Sequence, residues 1–227
     1  MIRAGCSGFS YAEWRGTFYP QKLAPVRMLS AYAEQLGAVE LNNTFQRTPT
    51  EGALAAWAER TPPGFRFCVK AHRALTYSAA AFPKETVAAD LHGRLGVLGP
   101  RLGPVLLQFP PTRQLDPALL DRLLAALDLP AAAEFRHDSW FTDEVYDLLR
   151  RHGAALCVTE GEKWPQAPPR ELASFAYVRL RAERYGKAAL EAWRARLRSL
   201  AAVHDDVYAF VRHGPDAPRI ALALSVD

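Results

Sequence analysis

Glu134 and Arg136 stand two residues apart in the run Ala-Ala-Ala-Glu-Phe-Arg-His, and the same spacing recurs in Glu40 with Asn42, Lys70 with His72, and Arg179 with Arg181. Apolar residues fill the alternate positions. A period of two is that of a β-strand, whose successive side chains leave on opposite faces. Each polar pair therefore points one way and its apolar neighbours the other. The residue types are those of reactive sites. Glu40 and Glu134 could move a proton or act as nucleophiles. Lys70 could polarise a carbonyl or form a Schiff base with it. Arg136, Arg179, Arg181 and Arg212 offer the planar fork that grips carboxylate or phosphate by two oxygens.

Eight short β-rich runs could position these side chains: Ile2–Cys6, Ala38–Asn42, Phe65–Ala71, Pro104–Gln108, Ala132–Arg136, Ala154–Val158, Phe175–Arg181 and Val207–Arg212. Amphipathic helical patterns lie between them. Leu29, Tyr32, Ala33 and Leu36 share one helical face, which Gly37 ends as a C′ residue. Asp116-Pro117 caps and opens a leucine-rich helix, and Thr142 caps another that stops at Gly153. Leu190, Trp193, Leu197 and Leu200 form a further stripe, and a short last helix spans Asp216–Leu224. The proline-containing link Thr159–Ser174 reads as a loop over the mouth. Strict β-α alternation demands a parallel sheet, and eight repeats a closed barrel, so residues 1–227 form one α/β domain, an eight-stranded β/α barrel.

In such a barrel the helix-facing side must be apolar, which fixes the parity of each strand. Glu40, Asn42, Lys70, His72, Gln108, Glu134, Arg136, Arg179, Arg181 and Arg212 then face the axis, mostly near the C-terminal ends of their strands. That end is where these barrels place active sites. Two carboxylates face five cations there. Burying an unpaired charge costs several kcal/mol, so the surplus must meet solvent or an anionic ligand. The loops after the seventh and eighth strands, a common phosphate site, add Arg184, Lys187 and His213. Barrel dimensions could bring the two inward carboxyls to roughly 5–7 Å, a spacing suited to paired acid/base or nucleophile work, although the two glutamates could equally be clamps for Arg136 and Arg179. Glu40, Glu134, His72, His137 and His213 could instead ligate a divalent metal, but the arginines would repel a cation and no local His spacing supports it. The expectation is therefore no metal and no cofactor. Tyr11, Trp14, Phe18, Tyr19, Phe45, Trp140, Phe141 and Trp164 follow strand ends, individually as packing and jointly as a surface that could stack a sugar or base.

Composition narrows the class. With 49% hydrophobic residues the chain can bury a large core, yet its apolar runs are strand-sized and none spans a membrane. No signal-peptide h-region opens the sequence. Cys6, Cys68 and Cys157 are far apart and lie in strand runs, which suits reduced packing residues of a cytoplasmic protein. A net charge of +4 without a basic block does not argue for nucleic acid.

Six ordered stretches carry a resemblance to a known family: Gly5-Cys6-Ser7-Gly8-Phe9-Ser10-Tyr11 with Trp14-Arg15-Gly16 and Phe18-Tyr19-Pro20; Val39-Glu40-Leu41-Asn42-Asn43-Thr44-Phe45; Phe65 to Ala71; Gly103 to Pro111; Glu134-Phe135-Arg136-His137 with Ser139-Trp140-Phe141; and Ala176 to Leu180. The chain resembles the YecE-like family, domain of unknown function 72. The resemblance implies a TIM barrel and assigns no reaction. Its motif residues are Glu40, Asn42, Thr44, Lys70, Gln108, Pro110, Glu134, Arg136, His137, Trp140 and Arg179, which overlap the ring that parity selects. Glu160, Arg181-Ala182 and Arg212-His213 depart from the family's usual Asp, His-Gly and Asn pair, all at the mouth.

Together these features point to an enzyme for a small phosphorylated or otherwise anionic substrate, sugar- or nucleotide-like. Glu40, Glu134 and Lys70 would be catalytic. Asn42, Thr44, Gln108, Arg136, His137, Trp140, Arg179, Arg181 and Arg212 would bind substrate. The alternatives are a non-catalytic module for a phosphorylated metabolite or nucleic-acid end, and a metal-dependent hydrolase or isomerase. No membrane partner is expected.

Overall fold

Alternating apolar runs become parallel strands throughout. The structure, a computed structural model, describes residues 1–78, 83–161, 164–168 and 170–225. Its strands are β1 (Ile2–Ser7), β2 (Ala38–Leu41), β3 (Arg66–Lys70), β4 (Leu102–Phe109), β5 (Ala131–Phe135), β6 (Ala155–Leu156), β7 (Val158–Thr159), β8 (Phe175–Leu180) and β9 (Asp206–Val211). They form one sheet in the order β6-β5-β4-β3-β2-β1-β9-β8-β7. β6 and β7 are halves of the single sixth strand expected from the sequence, interrupted at Cys157. One half pairs with β5 and the other with β8, so the strand joins both ends of the sheet and nearly closes the barrel. This is the α/β, TIM-like barrel that the alternation demanded.

The apolar residues divide as parity requires. Val39, Leu41, Phe67, Val69, Ala133, Phe135, Val178 and Leu180 belong to the cluster packed beneath the helices. Ala38, Cys68, Leu106, Ala132, Ala155, Cys157, Tyr177, Tyr208 and Phe210 fill the barrel itself. Large aromatic and small residues alternate inside, and they form the floor on which the polar ring rests.

The outer layer comprises α1 (Met28–Ala33), α2 (Glu51–Glu59), α3 (Arg73–Thr76), α4 (Lys84–Leu95), α5 (Pro117–Leu127), α6 (Asp143–Arg151), α7 (Lys187–Ala201) and α8 (Ala217–Leu224). Capping follows the expected chemistry at α5 and α6, where Asp116 accepts from the Leu119 amide and Thr142 from that of Val145. Gly153 ends α6 with φ 58°, as a left-handed glycine should. Gly37 does not act this way. Its φ is not positive, and the chain instead leaves α1 through a hydrogen bond from the Leu36 amide to the Tyr32 carbonyl. No helix occupies the described part of residues 160–174.

Tyr32 fixes the approach to the site. Its hydroxyl accepts from the Cys6 amide at 2.7 Å and donates to the Ala38 carbonyl at 2.9 Å, bridging β1 and β2 just below Ser7 and Glu40. All three cysteines are free and buried, and burial pushes the Cys6 thiol up to about 12 even though Tyr32 pulls the other way. We therefore expect native protein to react with a disulfide reagent at least a hundredfold more slowly than urea-unfolded protein. Rapid labelling of Cys6 in the native state would contradict its depth. No helix among the described residues is long and apolar enough to cross a membrane.

Candidate functional site

Strand ends converge on one guanidinium. Arg179, near the end of β8, is 4% exposed and lies between the two carboxylates. Its Nε and Nη2 donate to the two oxygens of Glu40 at 2.9 and 2.8 Å, and its Nη1 donates to Glu134 Oε2. Each carboxylate has further donors. Glu40 accepts from the Ser7 hydroxyl at 2.7 Å, the Tyr177 hydroxyl at 2.9 Å and Arg181 Nη2 at 3.2 Å. Glu134 Oε1 accepts from Gln108 Nε2 and Arg136 Nε, each at 2.8 Å. Arg181 also donates to Ser7 Oγ at 2.9 Å, which closes the circuit back to β1.

These contacts set the protonation states. Burial alone would raise the Glu40 carboxyl, but Arg179 and Arg181 outweigh it and hold the group far below the carboxylate range. Glu134 experiences the same contest, and Arg179, Arg136 and Arg181 with the Gln108 hydrogen bond bring it to about 2. Both are anions at neutral pH with their oxygens occupied by donors. A proton carrier works best with a pKa near the operating pH, so the geometry fits neither glutamate to that work. It makes them the anchors of an arginine cluster.

Lys70 is placed differently. It ends β3 pointing into the same ring, but its Nζ makes no hydrogen bond or ion pair among the described residues and lies 3.8 Å from the centroid of the Phe45 ring. Burial, followed by repulsion from Arg179, lowers its pKa to about 8 against the pull of Glu134 and Glu40. Arg136 is part-exposed and lies under Trp164, with its guanidinium carbon 4.7 Å from the ring centroid. The loop between β7 and β8 therefore reaches over the mouth at Trp164, as expected from the sequence.

Other candidates take supporting places. The buried Thr44 hydroxyl sits 2.6 Å from both the Leu41 and the Lys70 carbonyl oxygens, tying the ends of β2 and β3 together. Tyr77, just beyond α3, donates to Gln108 Oε1 at 3.0 Å and meets Phe45 edge to face. Asn42 carries a buried Oδ1 with no hydrogen-bond partner among the described residues and lines a small cleft with Gly8, Phe9, Ser10 and Tyr11. His137 turns its Nδ1 to Ser139 at the start of a short helical turn.

Two expected substrate residues lie elsewhere. Trp140 is fully buried, stacked on Phe135 with its indole N–H donated to the Arg113 carbonyl, so it packs the barrel flank and presents no face to a ligand. Arg212 lies one residue beyond β9, exposed, in a separate rim cleft of about 340 Å³ with Arg184, His213 and Gly214. Among the described residues the ring therefore holds four cations, Lys70, Arg136, Arg179 and Arg181, against two carboxylates. Of the possible metal donors, His72 Nδ1 accepts from the Ala74 amide and His213 stacks on Tyr11. Among the described residues no three His, Cys, Asp or Glu side chains converge on one point.

Ser7 and Tyr177 were not among the residues proposed to bind or react. Parity extended one residue past Cys6 puts Ser7 inside, and the parity that turns Arg179 inward does the same for Tyr177, two residues before it. Glu160 is likewise structural. It accepts from Tyr185, from Trp193 Nε1 at 2.8 Å and from the backbone amides of Arg181 and Ala182, so it holds the chain that aims Arg181.

A parallel, nearly closed barrel that alternates with helices and gathers a buried carboxylate–guanidinium ring at its strand ends belongs to the TIM-barrel class in fold. More particularly, the chain belongs to the DUF72 family, "Protein of unknown function DUF72", whose model matches residues 3–226. It is 29% identical over 163 residues to UPF0759 protein YunF of Bacillus subtilis, covering 65% of this chain and 55% of that protein. It is 30% identical over 146 residues to UPF0759 protein YecE of Escherichia coli K12, covering 62% and 50%. The matches thus span about half the length of these curated relatives. A solved DUF72 family protein from Thermotoga maritima superimposes with a TM-score of 0.85 at 27% identity, over 99% of this chain and 97% of that one. Another, from Enterococcus faecalis, shares the fold with a TM-score of 0.80 at 19% identity, over 99% and 96%.

Proposed function

We propose that this DUF72 chain is a cytoplasmic enzyme that takes a small anionic molecule, phosphorylated or carboxylated, at the mouth of its barrel. The observation that carries the proposal is the charge balance of the ring. Among the described residues four cations converge there, and both carboxylates are already engaged by arginines. Two positive charges remain for a ligand, and the partly exposed Arg136 and Lys70 are the groups best placed to meet it. Glu40 and Glu134 serve to hold the arginines, in place of the acid/base role expected from their spacing. A non-catalytic binding module is the second reading, favoured by the locking of both carboxylates.

Thermal denaturation in the presence of phosphate tests the anion site. A ligand that binds only the folded state adds about 2.7 kcal/mol of stability at one hundred times its Kd, so the melting temperature should rise by several degrees. Arg136→Met should remove most of that shift. A wild-type protein indifferent to phosphate and sulfate would end the proposal. Loss of the shift in Arg212→Met instead would move the anion to the rim cleft.

A further inference from the structure

We infer that Lys70 is an amine nucleophile that forms an imine with carbonyl compounds bearing an anionic group, because at the end of β3 its Nζ lies against the Phe45 ring with no hydrogen bond or ion pair among the described residues, inside a ring whose two carboxylates are both held by arginines. The inference rests on the anionic-ligand proposal and deepens it by naming the reactive half of the substrate.

A lysine in a cation-rich ring would ordinarily bind one of the carboxylates. Here that attraction is used elsewhere. Both oxygens of Glu40 and both of Glu134 accept from arginine or other donors. The charged groups facing Lys70 are Arg179 from β8, Glu134 and Arg136 from β5, and Glu40 from β2. With the carboxylates shared among guanidiniums, two arginines and burial oppose a third positive charge. At a pKa of about 8, about a tenth of Lys70 is neutral at pH 7, against roughly one in two thousand for an ordinary lysine. Arginine cannot do this work, since it does not give up its proton. The site thus divides its labour, with guanidiniums to bind an anion and one amine to react. Thr44 adds rigidity, since its hydroxyl holds the Lys70 carbonyl oxygen at 2.6 Å.

The step is balanced without a redox partner. The Nζ lone pair forms a bond to the carbonyl carbon, and an N–H proton passes to the carbonyl oxygen. The resulting carbinolamine then loses water, taking its hydroxyl and the remaining N–H proton, to leave the C=N bond. A phosphate or carboxylate on the same molecule would lie against Arg136 and its neighbours.

Pyridoxal 5′-phosphate, which carries an aldehyde and a phosphate, is the probe, with pyridoxal as its uncharged counterpart. Sodium cyanoborohydride supplies hydride to the imine carbon and makes the adduct permanent for peptide mass spectrometry. The full chain should acquire the label on Lys70 at least tenfold faster than on Lys22, Lys84, Lys163 or Lys187. The rate should rise between pH 6.5 and 9, phosphate should slow it, and pyridoxal should react more slowly. Lys70→Arg, checked for folding by circular dichroism, should lose the fast label and keep the phosphate-induced rise in melting temperature, because it keeps the charge. Labelling of Lys70 no faster than the other lysines overturns the inference. If phosphate still stabilises the wild type in that case, the anion site survives and only the imine chemistry falls. If Lys70 labels equally fast with both aldehydes and phosphate has no effect, the anion site falls and takes the anionic-substrate inference with it.

Discussion

Replacing Glu40 by Gln should cost about 3–5 kcal/mol of stability, the range for removing one partner of a buried ion pair. Glu40 is wholly buried and accepts from Arg179, Arg181, Ser7 and Tyr177. Its charge is half the negative charge of a ring that already carries surplus cations. Without it, among the described residues Arg179 retains Glu134 as its ion-pair partner and Arg181 retains none. Arg179→Met should be milder, at about 1–3 kcal/mol, although Arg179 touches both carboxylates. Its removal leaves Glu40 paired with Arg181 and Glu134 with Arg136, so that the pairs are complete and the excess of positive charge falls. Counting contacts would rank the two variants the other way. Urea unfolding of both, with unchanged m-values, decides between contact number and charge balance. A Glu40→Gln protein as stable as wild type or more so would mean that the carboxylate is held under strain, as a catalytic group is. The acid/base role would then return.

The sequence makes the barrel and the inward set of residues legible for one reason. Helices must cover apolar strand faces, so the identities of Val39, Phe67, Phe135 and Val178 dictate where Glu40, Lys70, Glu134 and Arg179 point. Side-chain reach is a different matter. That one guanidinium spans two carboxylates from strands three apart in sequence order depends on rotamers and on cross-barrel distances, and no local pattern encodes them. The same gap explains Trp140 and Arg212. Trp140 follows a strand end like a mouth residue, but the stack on Phe135 and the Arg113 carbonyl draw it into the flank. Arg212 has the right parity, yet it lies one residue beyond β9, where the chain has left the barrel and parity no longer determines direction. The broken sixth strand was hidden as well, because Ala154–Val158 is apolar enough to read as one continuous run.

Acid should unfold this protein through the same ring. Glu40 and Glu134 have folded pKa values far below the ordinary carboxyl value near 4.3. A depressed folded value means that the unfolded chain binds protons first as pH falls. The stabilisation is therefore complete above about pH 5 and drains away below the unfolded value, toward the folded one. For Glu134, whose folded value is about 2, the loss is on the order of 3 kcal/mol. While both groups are still ionised in the fold and protonated in the unfolded chain, the slope approaches two protons, or about 2.7 kcal/mol per pH unit. Urea midpoints measured from pH 7 to pH 3 should accordingly stay level and then fall steeply. Glu134→Gln, weaker at neutral pH, should show about half that slope because one of the two titrating groups is gone. Moderate salt should rescue little, since buried pairs are screened far less than surface ones. A wild-type midpoint that stays level down to pH 3, or a Glu134→Gln curve with the wild-type slope, would show that the acid response lies in surface pairs such as His152 with Asp121 and that the ring is hydrated enough to lose its protonation coupling.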